Sequence, residues 1–335
     1  MLNSKFDKNI TLKNTIPNRK VFSPLNKYAR LVTNDKQLLT GNVETSRGCI
    51  HKCLHCPVYL SYNGSVEKVD KNIVIEDIKN LVKLGAEHIT FVDADFLNLP
   101  HHSLDIIKEM NSLFPFLTFD FTSKISNFMP NKNILKEMVK CGLKFVVTAI
   151  EFNDNTILDS LNKCHDTEEI KNVLILFNEL KICCKPTFVL FNPFANINQI
   201  IDTLLFIEAN DLIMNVDPIQ YKIRLLIFKN SPLSNKVRKV ANIKKENTDV
   251  SYITWEHKDL NVEKLYNEIC AFIDYGINNN FDEFTIFKNI KKIAFKYSDY
   301  LGQIAFNKNI HLNKVNCPKY NVPNFCCSEP TGKFI

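Results

Sequence analysis

Three cysteines stand close together in the run Ser46-Arg47-Gly48-Cys49-Ile50-His51-Lys52-Cys53-Leu54-His55-Cys56-Pro57, spaced C-x3-C-x2-C. Thiolates this close on one loop can converge on a single metal centre. Three is one ligand fewer than a closed four-cysteine site needs. A [4Fe-4S] cluster held at Cys49, Cys53 and Cys56 would therefore leave one iron open to a small molecule. A zinc knuckle would instead need a fourth donor, which His51 or His55 could supply. Three unrelated buried thiols are the remaining alternative.

A second thiol group lies near the end of the sequence, in Cys317-Pro318 and Phe325-Cys326-Cys327-Ser328-Glu329-Pro330. Adjacent cysteines seldom bond to one another without strain, but thiols on a flexible tail can swing to a soft metal, a metalloid or each other. Cys317, Cys326 and Cys327 thus form a candidate three-thiol site, against the alternative of a disordered end with accidental thiols. Cys141 and the pair Cys183-Cys184 sit in apolar contexts and read as packing thiols.

Positioning these groups requires a framework, and the sequence supplies one from residue 42 onward. Strand-like and helix-like segments alternate at the pace of βα units. Strands are expected over residues 43–46, 88–93, 116–122, 144–150, 185–191 and 220–227. Helices are expected over residues 75–84, 102–113, 133–141, 167–180 and 197–209, with Gly85 and Gly142 as stops and Asp166 as an N-cap. The rhythm ends near residue 232, after which residues 262–277 and 284–297 read as helices.

The expected division is a lead-in over residues 1–41, an α/β core over 42–231, a helical extension over 232–315 and a cysteine tail over 316–335. A doubly wound sheet would read similarly. In a barrel, functional side chains project from the C-terminal ends of the strands. Asp93 and Asp95 follow the second strand, and Glu151 follows the apolar run of the fourth. Carboxylates there serve either a ligand or a polar turn. Arg224, in an otherwise apolar strand, needs an anionic partner if it points inward and none if it points to solvent.

Composition bounds the class. The chain has 335 residues, 45% of them apolar and 23% charged, which suits a soluble globular protein with one large or two smaller domains. The net charge of +6 is modest and spread along the chain, so nucleic acid is not the expected partner. The apolar runs fall short of a membrane span, and the N-terminus lacks a signal-peptide core. Eleven cysteines in clusters suit metal binding in a reducing cytoplasm better than a secreted disulfide framework.

The cysteine spacing, its place after a first strand and the aromatic Tyr59 just beyond resemble the signature of the radical S-adenosylmethionine (radical SAM) superfamily. That resemblance implies a partial (β/α)6 TIM-like barrel with a helical C-terminal extension, a [4Fe-4S] cluster and S-adenosylmethionine (SAM). It implies that the amino and carboxylate groups of SAM chelate the open iron, and that an electron from the reduced cluster cleaves a C–S bond. It further implies that Asp93 and Asp95 hold the SAM amino group, although the glycines usual in that stretch are absent, and that Glu151 holds the ribose hydroxyls. Arg224 would meet the carboxylate of SAM or substrate, with Tyr59 beside the cofactor. The segment Leu161-Asn162-Lys163-Cys164-His165 is similar to the L-x-K-x-H stretch that often follows.

A narrower resemblance rests on Glu44 to Cys49, Cys56-Pro57-Val58, His88 to Phe91, Asp95 to Asn98, Asp217 to Tyr221, Ile223 to Leu226 and the final Cys-Cys-x-Glu-Pro. These look like the CUAEP/CCAEP-tail radical SAM proteins, from about residue 43 to 330, although Ser328 stands where the family name has alanine. Members resembling that family are linked with arsinothricin biosynthesis. The resemblance therefore implies 3-amino-3-carboxypropyl transfer to arsenite presented by the tail thiols, with flavodoxin or ferredoxin as reductant. Two other readings stand beside it. One is 5′-deoxyadenosyl-radical modification of another small molecule or peptide. The other is a metal- or metalloid-binding protein without turnover.

Overall fold

The computed structural model describes residues 15–33, 36–245, 251–298 and 317–321. Its centre is a curled, seven-stranded half-barrel in the order β12-β1-β2-β5-β6-β7-β8. Strands β1 (Arg30–Val32) and β2 (Gln37–Val43) form an antiparallel pair at one edge, before the β3 (Ser46–Gly48) and β4 (Val66–Lys68) ribbon. Strands β5 (His88–Phe91), β6 (Thr118–Thr122), β7 (Leu143–Glu151) and β8 (Cys183–Phe188) then run parallel to β2. A small sheet follows, built from β9 (Ile227–Phe228), β10 (Ala241–Lys245) and β11 (Tyr252–His257). The last strand, β12 (Lys319–Tyr320), returns to pair with β1.

Helices cover the outer face. They are α1 (Pro57–Tyr62), α2 (Lys71–Lys83), α3 (Pro100–Leu113), α4 (Lys132–Lys140), α5 (Asn155–Ser160), α6 (Thr167–Leu180) and α7 (Ile197–Ala209). Beyond the barrel lie α8 (Pro232–Val240), α9 (Leu260–Asn278) and α10 (Glu283–Lys296). Local chemistry fixes their starts. Asp166 accepts the Glu169 N–H ahead of α6, and Asn196 and Gln199 form a reciprocal capping box on α7. Apolar residues then recur at helical spacing: Val74, Ile75, Ile78 and Leu81 on α2, and Ile106, Ile107 and Met110 on α3, are buried.

Strand alternation separates two environments. Ile89, Phe91, Phe119, Phe121 and Val146 point outward and are buried under the helices. Phe91, Phe96 and Phe121 stack there with centroids 4.6 and 4.9 Å apart. Truncating one such ring would cost about 3–5 kcal/mol. The opposite face lines the barrel. Register places Asn42, Thr90, Asp120, Phe145 and Cys183 in one inward row, with Thr122, Val147 and Lys185 in the next.

Several sequence expectations are corrected. Residues 30–41, read as lead-in, supply β1 and most of β2, and the strand expected over 43–46 touches only the end of β2 and the start of β3, because the polar Gln37, Thr40 and Asn42 mask the apolar alternation of the first barrel strand. No sixth strand forms over residues 220–227. Pro218–Lys222 is a 3-10 turn, with Asp217 accepting the Ile219 N–H. Pairing to β8's extension shrinks to a parallel bridge between Phe191 and Arg224, and β9 joins β11 instead. The C-terminal extension contains the β10–β11 hairpin as well as helices.

Arg224, expected to meet a ligand carboxylate, ties the extension to the barrel. Its guanidinium donates to Glu263 Oε2 at 2.8 Å and the Trp255 carbonyl at 2.6 Å, and lies 3.9 Å from the Tyr266 ring centroid. Both side chains of the ion pair are largely buried, where losing one charged partner costs far more than losing both. Glu263→Ala is expected to lower stability by about 3–5 kcal/mol, and Arg224→Met with Glu263→Met to recover much of that loss. Urea unfolding checks both, and a single-variant loss below about 1 kcal/mol would show that solvent screens the pair.

Candidate active site at the barrel rim

The cysteine loop leaves β3 at Gly48, whose φ of +91° suits glycine; a Cβ there would fall 2.2 Å from the Ser65 carbonyl oxygen. Cys49 and Cys53 are buried, and half-buried Cys56 caps α1, with Pro57 at its first position. Backbone bonds tie this loop to the segment after α5: Leu54 N–H donates to the Leu161 carbonyl, and Asn162 Nδ2 to that of Lys52.

Two buried carboxylates brace the loop. Asp93 accepts the Thr45 N–H at 2.9 Å and the hydroxyls of Thr45 and Ser46 at 2.8 and 2.6 Å, fixing the residues that enter β3. Burial pushes its carboxyl up, and these donors restrain the shift. Asp95 accepts from the backbone of Leu97 and Lys124, the Ser123 hydroxyl and Asn127 Nδ2, with His51 Nε2 3.3 Å away. Both were expected to hold the SAM amino group. In the structure Asp93 is engaged by the backbone and hydroxyl of Thr45 and the hydroxyl of Ser46, and Asp95 by groups of the rim.

Glu151 ends β7 in the left-handed region, with φ at +66°, a strain that a glutamate bears only where its surroundings enforce it. Its Oε1 meets Lys163 Nζ at 3.1 Å and His55 Nε2 at 3.3 Å. Burial alone would push this carboxyl up; the Lys163 ammonium and His55 hold it well below the usual carboxylate range. The sequence marked Glu151 but missed Lys163 and His55 as its partners, which meet it only because the cysteine and post-α5 loops are stitched together. Lys124 was also missed: it is 7% exposed, and its Nζ has no hydrogen-bond partner among the described residues. His165 sits nearby, its pKa pushed down to about 3 by burial and then by Lys163 and Lys124.

Among the described residues, the trio of ligand atoms within 4.8 Å of one another is Cys49, His51 and Asp95, not the three cysteines. A tetrahedral zinc site would gather all its donors around one ion. In an iron–sulfur cube each thiolate binds its own iron, so the cysteines stand further apart. His55 is turned to Glu151, and the other candidate fourth donor, His51, groups with Cys49 and Asp95 rather than with all three cysteines, as a closed zinc knuckle would need.

Tyr59 is half-buried in the first turn of α1, close to Cys56. Of the three tail thiols, Cys317 is disulfide-bonded to Cys183, whose inward position on β8 faces it, and Cys326 and Cys327 lie outside the described residues. Below the rim a polar network lines part of the barrel. Asp120 meets His88 Nε2 at 2.8 Å, the Thr90 hydroxyl at 2.8 Å and the Tyr320 hydroxyl at 2.7 Å. The sequence hint was an aspartate between two phenylalanines in a strand, Phe119-Asp120-Phe121.

Residues 43–207 match the family model described as Radical SAM, the radical SAM superfamily. No curated protein matches the chain. Among solved structures, the cobalamin-dependent S-adenosylmethionine radical enzyme OxsB with aqua-cobalamin bound is similar, with a TM-score of 0.62 and 16% identity over 70% of this chain and 41% of OxsB. The radical S-adenosylmethionine methyltransferase TsrM from Kitasatospora setae, with tryptophan substrate and a SAM analogue, gives 0.52 and 14% over 64% of this chain and 42% of TsrM. The chain thus spans about two fifths of the length of these proteins, and at such identity the likeness is one of fold.

The buried His165 also sets a pH dependence. Its folded pKa lies below the ordinary 6.5, so the unfolded chain takes up the proton first. Its contribution to stability is complete above pH 6.5 and is lost as pH falls toward about 3, at about 1.4 kcal/mol per pH unit between. His165→Gln is expected to flatten the stability profile between roughly pH 6 and 4. Denaturant midpoints across that range check this, and an unchanged slope would place the acid sensitivity elsewhere.

Proposed function

We propose, from the premise that residues 43–207 form a radical SAM superfamily domain, that the protein reductively cleaves SAM and uses that cleavage to alter a small molecule seated in the barrel. Cys49, Cys53 and Cys56 would hold the [4Fe-4S] cluster, which supplies one electron to SAM when bound. The observation that carries this reading is the cysteine loop itself, braced at the rim of a mostly parallel half-barrel by Asp93 through Thr45 and Ser46 and by Asp95 beside His51.

The chain's own residues divide the remaining tasks. Burial pushes the Cys49 thiol up to about 11, so binding iron must displace its proton. Asn98 lies 3.9 Å from Cys49 Sγ and stands beside the site. Glu151, held ionised by Lys163 and His55, presents an acceptor for hydroxyl groups at the rim. Lys124 presents a buried ammonium with no hydrogen-bond partner among the described residues, suited to a carboxylate. Asp95 holds Ser123, Lys124 and Asn127 in place around this space. An external reductant and a small-molecule substrate complete the requirements.

The finer reading is 3-amino-3-carboxypropyl transfer to arsenite, with Cys317, Cys326 and Cys327 presenting trivalent arsenic. It rests on the tail motif and requires opening of the Cys183–Cys317 disulfide, since trivalent arsenic binds thiols.

Anaerobic reconstitution tests both levels. The expected outcome is about four irons per chain, an electron paramagnetic resonance signal that changes on adding SAM, and loss of both in Cys49→Ser, Cys53→Ser or Cys56→Ser. Tetrahedral zinc, or a cluster indifferent to SAM, would refute the enzyme reading. With arsenite present, methylthioadenosine as product supports the finer reading, and 5′-deoxyadenosine alone refutes it.

A further inference from the structure

Below the rim, the barrel encloses a cavity of about 440 Å³ lined by Glu151, Phe145, Lys185, Asp217 and Tyr320, among others. That volume lies within the range of small-ligand sites, roughly 300–1,000 Å³. Lys185 enters from the inward face of β8, in register with Val147. Its ammonium lies 4.0 Å from the Phe145 ring centroid and 5.3 Å from that of Tyr320. Among the described residues it makes no hydrogen bond and no ion pair. The inward Asp120 is engaged by His88, Thr90 and Tyr320. Burial pushes Lys185 down to about 8, against the field of Asp120, so at neutral pH the ammonium prevails.

A carboxylate also lines the cavity. Asp217 caps the Pro218–Lys222 turn, accepting the Ile219 N–H through Oδ1 at 3.1 Å and making no ion pair among the described residues. Burial pushes the Asp217 carboxyl up, against the Ile219 N–H and the charges of Lys319 and Lys185, and among the described residues no ion pair joins Asp217 to Lys185. Lys319 and Glu283 also line the cavity, but they neutralise each other as an ion pair.

Two opposite charges that share a cavity without meeting are poorly served by any ligand of one sign. A neutral apolar molecule would strand both, an anion alone would leave Asp217 without a counter-charge, and a metal cation would face Lys185. We propose that the cavity seats a small zwitterion, an α-amino acid or close analogue, with its carboxylate on Lys185 and its ammonium on Asp217. This rests on the reading that SAM binds at the rim, because Glu151 lines the cavity and belongs to that rim. A molecule lying along the cavity is then presented to the place where SAM is cleaved.

Calorimetric titration of the reconstituted protein with the twenty protein amino acids tests the proposal. Matched amines lacking the carboxylate and acids lacking the amine are titrated in parallel. At least one amino acid is expected to bind, with both matched analogues weaker by about tenfold or more. Lys185→Met and Asp217→Asn are each expected to reduce binding by a similar factor, and Lys185→Arg to restore most of it. Near-ultraviolet circular dichroism confirms that the variants are folded. Absence of amino-acid binding overturns the inference, as does binding indifferent to both substitutions or equal binding of the deaminated acid. SAM cleavage by the unaltered protein separates the two readings: cleavage without amino-acid binding refutes only the zwitterion site, and absence of cleavage refutes the enzyme reading.

Discussion

A carboxylate buried beneath the barrel rim must find donors, and at Asp93 and Asp95 the donors it finds are the residues that flank the cysteine loop. Desolvating an ionised carboxyl is costly unless hydrogen bonds replace the water. Asp93 meets this demand with Thr45 and Ser46, where the chain turns from β2 into β3. Asp95 meets it with Ser123, Lys124 and Asn127 after β6, while His51 reaches it from inside the loop. Two segments distant in sequence, residues 45–51 and 123–127, are thereby held to one short run after β5. The spacing of the thiols becomes a property of the barrel rather than of a mobile loop, which is what a preorganised metal centre requires.

How far this was legible in the sequence follows from the range of the forces involved. Helices α6 and α7 were placed at their observed limits, because a cap and a 3.6-residue apolar stripe are local signals. The cysteine spacing is local as well. Strand β2 was missed because barrel strands put polar residues on the inward face, and a short run such as Gln37–Val43 then looks irregular. Arg224 was read as a ligand-binding group because its partner Glu263 lies 39 residues away in α9. The Glu151–Lys163–His55 cluster and the Asp120–Tyr320 contact depend likewise on register and loop stitching, which composition and periodicity do not encode.

The division of the sheet into an apolar outer face and a polar inner one has a thermodynamic consequence. Stability resides outside, where aromatic and aliphatic side chains pack against the helices. The inner face contributes little apolar burial beyond the small cluster around Leu31, Phe145 and Cys183. Its polar groups instead pair among themselves, as at His88, Thr90, Asp120 and Tyr320. The groups left over, Lys185 and Asp217, are those that line the open cavity. Substitutions inside the barrel are therefore expected to alter recognition more than folding, and those outside the reverse.

The segment Cys317 to Asn321 links this cavity to the thiol tail. Tyr320 is fixed by hydrogen bonds to Asp120 and Thr90, Asn321 accepts the Arg30 N–H at 2.9 Å, and Cys317 is bonded to Cys183. The first two anchors do not depend on the thiol redox state. The third depends on it, since reducing the Cys183–Cys317 bond would release that end of the segment. Displacing Tyr320 from the cavity lining would cost its hydroxyl two partners in a buried setting. The residue that joins the segment to the cavity is Tyr320, whose ring packs against Phe145 and beneath the ammonium of Lys185.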